Sequence, residues 1–161
     1  MTPERKFQSV LVLSALSDEQ IWNEADKLWK NDLTVALKWS NLYNAYTIPV
    51  KLAILRSLRG LNIDDKSRDT AMLTDDEAKI LAKVEHNRWN VEKLLMGYRK
   101  AHINEDKYEH PDNKEYQDKL NLNKKRFIHH DIRPYSELDK IKELDIEFSR
   151  YIPWILKMTE K

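Results

Sequence analysis

LAKVEHNRWNVEKLLMGYRKA, residues Leu81 to Ala101, decides the fold, because it reads as one long helix with two working faces. At about 100° per residue, Ile80, Val84, Val91, Leu94, Leu95 and Tyr98 gather into one apolar stripe, the expected core seam of an amphipathic helix. Ala82, His86, Trp89 and Met96 fall on the opposite side, where a purely solvated helix would carry charges. A Trp there needs a second packing partner or a ligand. Thr74-Asp75-Asp76-Glu77 supplies the start, with Thr74 as N-cap, a carboxylate three residues on and more acid in the first turn. Gly97 supplies the stop, because a left-handed residue after a helix costs glycine nothing.

Composition agrees with a mainly α fold. The chain has 161 residues, enough for one core, or for one domain with a helical extension. Two glycines and five prolines argue against a many-stranded sandwich or a glycine-rich phosphate loop. With no cysteine there is no disulfide framework, thiolate chemistry or cysteine zinc site. Lys plus Arg number 28 against 27 Asp plus Glu, so no global field attracts a nucleic-acid polymer or an anionic membrane. Phe7 to Leu16 is apolar and preceded by Arg5 and Lys6. It is too short to span a bilayer and has no small-x-small cleavage site after it. The expectation is a cytoplasmic protein with no direct membrane insertion.

Ser17-Asp18-Glu19-Gln20 is a capping box, and Ile21, Trp22, Ala25, Leu28 and Trp29 follow at helical spacing. A second helical pattern runs from about Leu33 to Tyr46. Thr47 with Pro49 opens a third, which Gly60 ends. Asn62 to Asp69 is a polar connector, placing a domain seam there: an N-terminal helical extension over residues 1–70 and a second domain over 71–161. The abrupt apolar start is expected of a piece of a longer polypeptide, with Trp39 to Asn44 as the connection to a partner domain. His102 to Lys125 lacks apolar periodicity and reads as a mobile surface loop. Arg126 to Ile132 reads as a short strand. Ser136, with Asp139 at the box position, caps a last helix whose stripe is Leu138, Ile141, Leu144, Phe148, Tyr151, Ile152 and Ile155, with Pro153 bending it.

The long helix and the segment FIHHDIRPYSELDKIKELDIEFSRYIPWIL, Phe127 to Leu156, together resemble the RyR domain, the repeat named after ryanodine receptors and found as single copies in bacterial proteins. His86 and Trp89 stand for the family's H-x-x-W, and Gly97-Tyr98 for its Gly-aromatic step. His129, Ile132, Pro134, Tyr135 and Leu138 fit H-x-x-L-x-P-[FY]-x-x-L, and Asp145 corresponds to a late Asp on the closing helix. The resemblance covers Leu73 to Lys157. Here a long insert separates Gly97-Tyr98 from His129, and His129-His130 replaces the family's His-Pro. It implies antiparallel helices with one or two short strands. It also implies a non-catalytic regulatory module, part of a larger assembly, that senses a small ligand of nucleotide type or docks a partner protein.

Three clusters are candidate sites. The face of His86, Trp89 and Met96 can pack against other helices, or form a pocket in which Trp89 stacks on a planar ligand. Arg88 and Glu85 beside it suggest a surface ion pair. Lys124-Lys125-Arg126 with Arg99, Lys100 and Arg133 is the local positive excess. Arg99 and Arg133 would grip a phosphate if folded against the pocket. The expected ligand residues are therefore His86, Trp89, Tyr98, Arg99, His129, Arg133, Pro134 and Tyr135, with no cofactor and no metal. The enzymatic alternative is an HD-like metal-dependent phosphohydrolase using His86, His129, His130 and Asp131. Against it, adjacent side chains on a strand point opposite ways.

Overall fold

The computed structural model describes residues 17–102, 114–138 and 141–159. The fold is mainly α, with a two-stranded parallel sheet. Helices are α1 (Asp18–Asn31), α2 (Val35–Tyr46), α3 (Ile48–Leu58), α4 (Asp75–Leu95), α5 (Lys114–Lys125) and α6 (Ile141–Thr159); strands are β1 (Arg99–Lys100) and β2 (Ile128–His129). The apolar run at residues 7–16 lies outside the described residues, and none of the described helices is long and apolar enough to cross a membrane.

The chain forms two compact units, Met1–Tyr43 and Asn44–Lys161. The seam thus falls at Tyr43–Asn44 instead of residue 70. In the first unit, Ser17 Oγ accepts the Gln20 N–H at 3.3 Å and Gln20 Oε1 accepts the Ser17 N–H at 2.8 Å, the reciprocal capping box. No residue of α1 is buried, and Trp22 and Trp29 are exposed. Trp39 stacks on Tyr43 with ring centroids 5.8 Å apart.

In the second unit the core gathers Leu52 and Leu55 of α3, Leu81 of α4 and Ile152 of α6, with Phe148 and Leu156 packed around them. Ion pairs Arg150–Asp75 and His86–Asp145 match rising residue numbers on α4 with falling ones on α6, so the two run antiparallel. The connector after α3 is strapped down by it. Arg56 pairs with Asp69, and Arg59 reaches Glu77 at 2.7 Å, while both guanidinium groups also donate to connector carbonyls. That strapping explains why a polar stretch resembling a linker belongs to the folded unit.

Both glycines do the same job. Gly60 (φ +69°) and Gly97 (φ +87°) follow α3 and α4 in the left-handed region. Leu61 N–H returns to Arg56 O and Gly60 N–H to Ser57 O; Tyr98 N–H returns to Lys93 O and Gly97 N–H to Leu94 O. These are paired Schellman caps.

The buried face of α4 is the reverse of the expected one. Ala78, Leu81, Ala82, Glu85, His86 and Glu92 are buried, whereas Val91 (54% exposed), Leu94 and Leu95 (84%) point outward. The reason is that the inner face hides charge in pairs. Lys51, with no exposed surface, donates to Glu85 Oε2 and to Asn44 Oδ1, both at 2.6 Å. Arg88 bridges Glu85 and Glu92, and Lys93 closes the row on Glu92 at 2.9 Å. Glu85–Arg88 is therefore a link in a buried network, not a surface pair. A hydrophobicity pattern scores such residues as solvent-facing.

Two further expectations change. Residues 114–125, read as loop, form α5, while 103–113 lie outside the described residues. Ser136 sits inside a single 3₁₀ turn (Tyr135–Glu137) and α6 begins at Ile141, so Ser136 is not that helix's N-cap; Asp139 lies outside the described residues. α6 continues through Pro153.

Candidate functional site

Helix α4 delivers His86, Trp89 and Asn90 to one side of the second unit, and α6 brings Leu144 and Asp145 opposite. The turn after β2 carries Asp131 to the rim. Together His86, Trp89, Asp131, Leu144 and Asp145 line a cleft of about 190 Å³ with a chiefly apolar surface.

His86 is the hub. Its Nε2 donates to the Arg133 carbonyl at 2.8 Å, and its Nδ1 lies 3.6 Å from Asp145 Oδ2, an ion-pair distance. Asn90, one turn on, donates to the same carbonyl at 3.0 Å. Both ring nitrogens thus face acceptors, which suits the imidazolium. Burial alone would lower its pKa, but the Asp145 carboxylate and the Arg133 carbonyl outweigh burial and the net shift is upward.

His129 behaves oppositely. Its Nδ1 accepts the Asp131 N–H at 3.3 Å, which fixes a neutral tautomer. Burial, helped by His130, Lys124 and Lys93, pushes its pKa down to about 3. The ring packs edge-on against Trp89 at 4.8 Å and lies 6.1 Å from Tyr98, which meets Phe127 at 5.3 Å.

Parallel pairing of β1 with β2 places this cluster. Arg99 N–H donates to Phe127 O at 2.8 Å and Ala101 N–H to His129 O at 3.3 Å. Phe127 takes a left-handed conformation (φ 57°) after α5, costly for a bulky residue, and its ring meets Tyr98 edge-on.

Of the expected site residues, His86, Trp89, Tyr98, His129 and Tyr135 form one connected ring cluster. The Trp89 and Tyr135 centroids each lie 5.9 Å from His86. Pro134 is exposed and sets the extended step before the 3₁₀ turn. Arg133 contributes its carbonyl, while its guanidinium donates to His130 O. Arg99 is exposed on β1. Neither arginine lines the cleft, so the expected phosphate grip is not assembled there. Among the described residues, no three His, Asp or Glu side chains group as metal ligands.

Comparison with protein-family models, curated proteins and solved structures gives no match. The site's reading rests on its own geometry.

The expected set omitted Asn90 and Leu144, and left out Asp131 and Asp145 as ligand-facing groups. Asn90 was visible in principle, being four residues from His86 on the same helical face. Leu144 carried no signal beyond core periodicity.

Proposed function

We propose that this chain is a non-catalytic, RyR-type regulatory module of the cytoplasm that senses a small ligand in the cleft between His86, Trp89 and Asp145. The observation carrying this reading is convergence. His86, Trp89, His129, Tyr135 and Asp145 come from three separated segments that bear the resemblance; His86, Trp89 and Asp145 line one cleft, with Tyr135 packed against His86 and His129 against Trp89. Core packing alone would not require a buried histidine facing a carboxylate beside an opening.

The cleft volume, about 190 Å³, is below the roughly 300 Å³ of drug-sized pockets and above the roughly 150 Å³ that admits benzene. One planar ring fits, as the base of a nucleotide would, with any phosphate left outside. The phosphohydrolase alternative is less well supported, because among the described residues no three His, Asp or Glu side chains group as metal ligands.

Calorimetry and thermal shift with a nucleoside and nucleotide panel test the reading on wild type, Trp89→Ala and Leu144→Trp, which would fill the cleft. Saturable binding that both substitutions abolish is the expected result. Identical responses in wild type and Leu144→Trp would sink it.

Docking of a partner protein is the second reading, favoured by the outward stripe of Ile80, Val91, Leu94 and Leu95 on α4. Its expected occupant is an amphipathic partner helix laid along that stripe.

A further inference from the structure

Resting on the partner-docking reading above, we infer that the helix laid along the outer stripe of α4 is α1 of a second copy of this chain, the exchange running in both directions. Each of the two helices carries an apolar stripe that its own chain leaves exposed. On α4 it is Ile80, Val91, Leu94 and Leu95, the last 84% exposed. On α1 it is Trp22, Leu28 and Trp29, which share a face with Ile21 and Ala25. No residue of α1 is buried, and a helix of 14 residues is marginal in water until its apolar face is covered.

The stripes match in length. At about 1.5 Å per residue α1 is about 21 Å long, and Ile80 to Leu95 spans about 22 Å. Exchange in both directions covers both stripes of both copies and doubles the area of a single helix contact. It also closes the pair on a two-fold axis instead of growing a filament.

Charge decides between the pairings open to these stripes. α1 carries four carboxylates against two lysines, with Glu24 on one flank of its stripe and Glu19 and Asp26 on the other. The α4 stripe is flanked by two exposed lysines, Lys83 and Lys79, the latter 3.7 Å from Asp76. Laying α1 on α4 brings the acidic rim to the basic one. Pairing α1 with α1 would set carboxylates against carboxylates, and pairing α4 with α4 lysines against lysines, each at a cost.

Sedimentation equilibrium of the full chain tests this with two neutral double variants. Trp22→Gln/Leu28→Gln removes the α1 stripe, and Leu94→Gln/Leu95→Gln the α4 stripe. All four side chains are exposed, so circular dichroism and the melting temperature in dilute solution should stay as in wild type. Wild type is expected to dimerise, more tightly as salt falls, and each variant alone to stay monomeric. The equimolar mixture of the two variants should form a heterodimer, weaker than wild type because one of the two contacts remains. If either variant fails to fold, Lys79→Glu/Lys83→Glu carries the test by weakening the dimer several-fold in low salt. Dimerisation of either variant by itself overturns the inference, because it shows a stripe pairing with its own kind. A wild-type chain that stays monomeric up to millimolar concentration overturns it as well. A designed helix with a leucine stripe and carboxylate flanks is then titrated against the Val91, Leu94 and Leu95 methyl signals by NMR. Saturable shifts leave partner docking standing, and silence removes that reading too.

Discussion

Lys51 shows how a single side chain can organise a helix pair. A lysine with no exposed surface would ordinarily be neutralised, and burial does lower its pKa, while Glu85 acts against that shift. Breaking such a pair from one side strands a buried charge, at about 3–5 kcal/mol. Glu85→Gln, which strands Lys51, should destabilise on that scale in urea unfolding, and Lys51→Met by less, because Glu85 keeps Arg88 at 2.8 Å. The double substitution should recover much of the loss, because no charge is left stranded. Equal losses in the single and double variants would contradict the arrangement. This pairing was illegible in the sequence: the partners are 34 residues apart and on different helices. His86 and Trp89 were legible because a bulky ring on a supposedly polar face is an anomaly that periodicity exposes.

Helices were found from their ends more reliably than from their faces. Ser17 and Thr74 both form reciprocal capping boxes, and Gly60 and Gly97 both close helices, as short-range chemistry requires. The inner face of α4 was inverted because Glu85, His86 and Glu92 hide within it as paired charges. α5 was missed because DKLNLNKK carries too few apolar residues to show a stripe. Substitution along α4 tests the corrected orientation. Ala82→Lys should cost more than about 3 kcal/mol, since it buries an unpaired charge in a full core. Val91→Lys and Leu95→Lys should change thermal stability by less than about 0.5 kcal/mol. Gly97→Ala should cost about 1 kcal/mol, through its positive φ.

Two histidines give the whole molecule opposing responses to pH. The folded pKa of His86 is raised, so its contribution is complete below the ordinary imidazole value of 6.5 and fades as pH rises through the folded value. The folded pKa of His129 is depressed to about 3, so its contribution is complete above 6.5 and is lost as pH falls toward 3. Stability should therefore peak near neutrality. Denaturation midpoints measured from pH 4 to pH 9 check this. His129→Phe should flatten the acid limb and His86→Gln the alkaline limb. A wild-type profile that is flat between pH 4 and pH 6.5 would exclude the buried neutral His129.

The arginine straps between α3 and α4 also set an order of assembly. Arg56–Asp69 and Arg59–Glu77 close over 13 and 18 residues, whereas His86 to the Arg133 carbonyl spans 47 and Arg150–Asp75 spans 75. Short closures cost less chain entropy and form sooner. The α3–connector–α4 hairpin should therefore nucleate folding, with α6 docking afterwards to complete the cleft. In stopped-flow measurements Arg59→Ala should mainly slow refolding, while His86→Gln should mainly quicken unfolding. The cleft would then be the last part of the unit to form and the first to open.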